Sequence, residues 1–253
     1  WWVLGLVLVV YIASTAGALA FVFGAVSNGT LPGDGAPVPT EGVAPLLYSL
    51  AASVGYVIPL ILGTLIVTTE FRHKTLTATF LATPRRGTVL WAKIVAGIVV
   101  GVGFGIVGAL SSVGPAAGFL TVFGIDTDLG AGSTWALIAR VVLALTIWVV
   151  VGIGVGTLVR NQVAAVVGVL VFTQFLEPIA RTAGAFVEGL DTVTNYLPGA
   201  ASDALVGASI FQMAGAGAST SGLEWWAGGA VLLGYALVLL VLGYALNWRR
   251  DVS

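Results

Sequence analysis

Apolar positions along the chain fall into six long blocks, and polar positions are confined almost entirely to the stretches between them. The blocks cover roughly 1–26, 45–69, 91–120, 135–158, 162–176 and 225–247. A helix needs about 20 apolar residues to cross the hydrocarbon core of a bilayer. The runs are continuous, whereas barrel strands would show short alternating segments. The pattern therefore predicts an all-α, polytopic membrane protein with six transmembrane helices in one domain, 1–253. Composition agrees: 58% of residues are hydrophobic and only 8% charged, against about 25% charged in a soluble domain. The chain opens on Trp1, and residues upstream of it are expected.

Charge divides the connections into two sets. Those at 70–93, at Arg160 and at Arg249 and Arg250 hold eight of the ten basic residues. The others hold Asp34, Glu41, Asp126, Asp128, Glu177, Glu188, Asp191, Asp203 and Glu224. Basic connections stay in the cytoplasm, so six spans place both termini inside, with Arg140 snorkelling outward. A bacterial plasma membrane is expected. The net charge of −1 gives no basis for a nucleic-acid partner, and the absence of Cys excludes disulfides and thiolate metal sites.

The connection between the fifth and sixth blocks is long, rather apolar and broken by Pro178, Gly184, Gly189, Pro198, Gly199 and Gly207. A structureless loop of that length is uncommon. Two short helices are expected instead, one from Pro178 to about Val187, the other with Ser202 as N-cap and running to about Met213. Their apolar character predicts that they dip into the outer leaflet without crossing it.

Residues 68–93, TTEFRHKTLTATFLATPRRGTVLWAK, hold half of all Lys and Arg and the only His. Residues 70–82 read as a short interfacial helix ended by Pro84, with Leu76 and Phe80 on its apolar stripe and Arg72, His73 and Lys74 toward water or headgroups. The plain alternative is that this cluster sets topology and touches anionic lipid.

This stretch resembles the element after the second span of type-two ATP-binding-cassette (ABC) exporter permeases: a Glu, a basic residue, Thr-Leu, apolar residues, Pro with basic neighbours, and a Lys opening the third span. Here these are Glu70, Arg72, Thr75-Leu76, Pro84-Arg85-Arg86 and Lys93. The six-span layout and NYLPGAASDAL (195–205) extend the likeness over nearly the whole chain. The resemblance implies a permease that dimerises with a second copy or a related chain and sits on two separate ATPase subunits. It makes 70–90 a cytoplasmic coupling helix, with ATPase-coupling roles for Glu70, Arg72, Thr75, Leu76, Phe80, Pro84, Arg85 and Arg86. It makes the two broken helices an outer lid. ATP and Mg would belong to the partner; the chain has no G-x-x-x-x-G-K-[ST] loop of its own.

Further candidates follow from the polar residues inside the spans. Tyr48, Ser53, Tyr56, Thr64, Thr173 and Gln174 are either interhelical hydrogen-bonding groups or, since the resemblance puts the cargo route between spans two and five, its lining. Glu177 and Arg181, four apart, suggest an i,i+4 ion pair or an outer gate. His73 has no second His or Cys with which to bind a metal. Gly97, Gly101 and Gly105, with Gly152 and Gly156, suit close helix packing. The function expected is export of a hydrophobic or amphipathic molecule such as a drug, antibiotic, lipid or small peptide. An ATP-independent secondary transporter or channel is the alternative, and an intramembrane enzyme lacks a nucleophile–base set in the spans.

Overall fold

A computed structural model describes residues 2–30, 42–73, 75, 86–187, 190–209 and 223–248. They form α1 (Trp2–Ser27), α2 (Val43–Ser53), α3 (Val57–Arg72), α4 (Arg86–Val122), α5 (Gly132–Leu158), α6 (Gln162–Val171), a π turn at Phe172–Leu176, α7 (Glu177–Phe186), α8 (Leu190–Thr194), α9 (Pro198–Val206), α10 (Trp225–Gly243) and a closing π turn at Tyr244–Trp248. Among the described residues, six helical stretches are long and apolar enough to cross a membrane: Trp2–Ser27, Val43–Arg72, Gly87–Val122, Gly132–Leu158, Gln162–Gly184 and Trp225–Asn247. The chain is thus an all-helical, multi-pass membrane protein, with no strand among the described residues.

Spans two and four form the centre, and the other four lie around them. Small residues let the two central backbones touch. A β-carbon at Gly63 would collide with the Val149 carbonyl, one at Gly152 with the Leu60 carbonyl, and one at Gly156 with the Thr64 carbonyl. The glycine row of the third span also faces inward, with Gly97 against Ile153, Gly101 against Thr146 and Gly105 against Val142. Between lipid-bathed helices there is little hydrophobic drive, so close packing of this kind holds the bundle. Span six lies on the other side of α5, where Asn247 Nδ2 donates to the Thr157 and Leu158 carbonyls at 3.1 and 2.6 Å and so closes the end of α5. The outward faces of the peripheral spans are apolar: Val3, Leu6, Val99, Leu110, Val163 and Leu237 are all exposed, as suits a hydrocarbon solvent.

Three expected boundaries are corrected. The helix expected to start at Pro178 is not separate from span five, which runs on through the π turn to Gly184. A separate helix starting at Glu70 is not what forms there: α3 continues through Glu70 to Arg72 and closes at His73. Leu76, Phe80, Pro84 and Arg85 lie outside the described residues. Ser202 is not an N-cap but a mid-helix residue of α9, which starts at Pro198 and ends at the left-handed Gly207. Proline at the first helical position has no N–H to leave unsatisfied and a backbone already set for the helix, and that start wins.

Candidate functional site

Prolines shape the outer half of the bundle. Pro59 has no N–H for the Gly55 carbonyl and its ring crowds that carbonyl. Span two accordingly breaks into α2 and α3 at Val54–Tyr56, with Ile58 N–H bonding back to the Gly55 carbonyl at 3.2 Å. In span five, Pro178 likewise withholds a donor from Gln174. The helix widens there, and the Glu177 N–H reaches back to the Phe172 carbonyl. Both distortions lie beside α9, which packs on α10 where Gly228 leaves room for the Ala201 carbonyl.

A polar cluster is buried behind α9. Arg181 Nη2 is 2.7 Å from Asp203 Oδ2. The same carboxylate accepts from Ser53 at 2.9 Å and from Ser209 at 2.7 Å. Glu177, only 2% exposed, points its Oε1 at the start of α9, where it accepts the N–H of Gly199 at 2.5 Å and of Ala200 at 3.2 Å. Negative charge at a helix N-terminus is favoured by its unpaired donors and its dipole. Glu177 Oε2 is buried and has no hydrogen-bond partner. Trp148 Nε1 donates to Ser202 Oγ at 3.0 Å, and the Trp148 ring stacks on Tyr56 with centroids 4.4 Å apart.

A cavity of about 280 Å³ adjoins the cluster, between spans two, four, five and six. Trp148, Phe172, Thr173, Pro198 and Tyr235 are among its walls. A larger groove of about 660 Å³ between α4 and α10 is lined almost wholly by apolar groups, with Tyr244 at one end. At the basic end of the bundle, Lys93 Nζ is 2.5 Å from Glu70 Oε1, and it also donates to the Ile66 carbonyl at 3.3 Å. Arg72 Nη1 reaches Gln162 Oε1 at 3.5 Å. The Thr75 N–H bonds the Glu70 carbonyl at 3.1 Å.

The sequence candidates divide accordingly. Ser53, Tyr56, Thr173, Glu177 and Arg181 come together around α9 and its cavity. The last two also reach across to α9, Arg181 to Asp203 and Glu177 to backbone N–H groups, while the Arg181 charge still acts on Glu177. Tyr48 lies apart, its hydroxyl donating to the Thr127 carbonyl at 2.8 Å. Thr64 is buried against its own helix, bonding the Leu60 carbonyl at 2.9 Å. Gln174 is exposed on the outside of span five. Asp203, Trp148, Ser202 and Gly199 complete the site without having been singled out for it. An Asp within the apolar run AASDALV was the available signal.

Comparison of the chain with family models, with curated proteins and with solved structures finds no match.

Proposed function

We propose that the chain is the membrane-spanning permease subunit of an ABC exporter in a bacterial plasma membrane, with both termini inside. It would move a hydrophobic or amphipathic molecule outward with ATP hydrolysed by two partner subunits, and a second permease copy would complete the transporter. The observation that carries this reading is the Glu70–Lys93 ion pair. Both residues belong to the motif that resembles the coupling element, one closing span two and the other opening span three. Tied together, they make the basic segment between them a handle whose displacement is passed to both spans. The central position of span two and its direct packing on spans four and five give such a movement a path to the outer half. The outer end of span five, α7, and the short helix α9 would form the outer lid, over an interior whose apolar cavities suit an apolar cargo.

The test is capture of a phosphate-loop ATPase by the intact protein. Reversing charge at Arg85 and Arg86 together is expected to weaken capture at least tenfold. Unaltered capture and unaltered ATP-driven transport in that variant would remove the docking role.

The buried cluster of Glu177, Arg181 and Asp203 favours a second reading, an ATP-independent secondary transporter, because ionisable groups at depth mark ion pathways in such proteins. Full-rate uptake by vesicles holding this chain alone, driven by an ion gradient, would select it over the first.

A further inference from the structure

We propose that the cavity between spans two, four, five and six binds an uncharged, two-ring aromatic molecule that enters from the bilayer. That such a molecule is exported cargo rests on the exporter reading above; that it binds does not.

The wall decides the polarity of the occupant. None of its described residues carries a charge, and only Trp148, Thr173 and Tyr235 have a polar side chain. Each of the three already has its hydrogen engaged within the protein. Trp148 Nε1 donates to Ser202 Oγ at 3.0 Å, Thr173 Oγ1 to the Val169 carbonyl at 2.8 Å, and the Tyr235 hydroxyl to the Tyr196 carbonyl at 3.1 Å. Pro198, another wall, has no N–H to offer. The surface left toward the cavity is almost wholly carbon. An ion, or a group that needs hydrogen bonds, would lose its solvation there and regain nothing. Water needs about two to four polar partners, so a cavity of this kind stays dry until an apolar molecule fills it.

Size and shape narrow the class. An apolar cavity of about 150 Å³ takes one benzene, and this one measures about 280 Å³, which leaves room for a fused pair of rings. Trp148, 1% exposed, forms its floor and is backed by the stacked ring of Tyr56, whereas Phe172 and Tyr235 stand half-open at its rim. Aromatic rings prefer one another in offset or edge-to-face contact, so a ring system held among these three gains contacts that a saturated chain does not. A rigid ring system also gives up less freedom on binding than a flexible acyl chain. The entrance follows from the packing. Spans five and six share no extended contact, and a β-carbon at Gly168 would meet nothing within 4 Å. The cavity therefore opens between those spans toward hydrocarbon, and its occupant arrives without crossing water. Pro198 is the first residue of α9, so the occupant rests directly against that short helix.

The test uses the full chain in nanodiscs without any ATPase. A diazirine-substituted naphthalene is photolysed at rising concentration and the labelled residues are read by mass spectrometry, with lipid as the unsaturable background. Saturable labelling is expected on the facing walls of spans five and six, at residues such as Phe172 and Leu239. A hundredfold excess of plain naphthalene is expected to lower it at least tenfold. The same excess of naphthyltrimethylammonium, a cationic counterpart, or of hexadecane, a stand-in for an acyl chain, is expected to lower it less than twofold. Leu239→Trp fills the cavity and is expected to lower labelling at least tenfold. Leu239→Ala widens it and is expected to admit a diazirine-substituted anthracene that the parent excludes. Both variants are expected to keep the helical circular dichroism of the parent. Labelling that does not saturate, equal competition by the cation, or undiminished labelling in Leu239→Trp would each overturn the assignment. Competition by hexadecane equal to that by naphthalene would make the cavity a slot for lipid chains and overturn it as well. Saturable labelling of a chain that captures no ATPase would keep the site and remove the exporter reading; capture without saturable labelling would remove the site alone.

Discussion

Gly199 gives its N–H to Glu177 Oε1 at 2.5 Å, and a β-carbon at position 199 would collide with the same carboxylate. The contact joins span five to α9, and a β-carbon there would force the carboxylate to move. Gly199→Ala is expected to push the carboxylate away and to lower stability by about 1–3 kcal/mol, the cost of leaving buried polar groups unsatisfied. Gly118→Ala in α4, where a β-carbon meets nothing within 4 Å, is the control. It is expected to be neutral or slightly stabilising, since alanine favours a helix over glycine by roughly 0.5–1 kcal/mol. Thermal unfolding in one detergent, followed by circular dichroism, compares the two.

Asp203 holds Arg181, Ser53 and Ser209 at once, so it ties α9 to spans two and five. Removing one member of a buried ion pair costs about 3–5 kcal/mol, because the other is left buried and uncompensated, whereas replacing both by apolar groups is often neutral. Asp203→Ala is expected to fall in that range. Arg181→Met combined with Asp203→Leu is expected to recover most of the loss. Denaturation midpoints of the single and double variants give the comparison; a double variant no more stable than the single one would mean that the pair itself supplies the strength.

How far this arrangement could be read from the sequence depended on the length scale of each signal. Span positions rest on runs of about 20 apolar residues, and the hydrocarbon core imposes that length directly. The break of span two and the π turn of span five rest on Pro59 and Pro178, single residues whose effect depends on what takes up the carbonyls they leave. Glu177 and Arg181 looked like partners because four residues separate them. Yet local spacing only makes a pair available, and α9 offers each a better partner: two aligned N–H groups for the one and a carboxylate for the other. Ser202 looked like a cap because serine followed by Asp203 suits a helix start, but Pro198 supplies an earlier one. The basic stretch was legible as charge, whereas the joining of its two edges by Glu70 and Lys93 is a tertiary fact.

Membrane orientation is open to a direct measurement because the natural chain has no cysteine. A single cysteine at Thr75, at the basic end, is expected to react with an impermeant maleimide only after the cells are permeabilised. A single cysteine at Asp126, in the connection between α4 and α5, is expected to react in intact cells. The bias of Lys and Arg toward one set of connections predicts this sign; labelling of position 75 from outside intact cells would invert the topology.

Glu70 and Lys93 offer the sharpest test of the handle. Their side chains are 29% and 11% exposed, so the pair is partly shielded and its loss is expected to cost about 1–3 kcal/mol, between exposed and buried pairs. Glu70→Lys places two cations together and Lys93→Glu two anions, and either should part the ends of spans two and three. Each single reversal is expected to lower ATP-driven transport several-fold while the partner ATPase still binds, since the basic segment between them is unchanged. The exchange of both charges restores the attraction, although a carboxylate at position 93 cannot donate to the Ile66 carbonyl as Lys93 does. Recovery should therefore be substantial but incomplete. Transport by the three variants in vesicles, with ATP hydrolysis recorded in parallel, decides the matter: an exchanged protein as impaired as the single reversals would show that these two residues do not carry force between the spans.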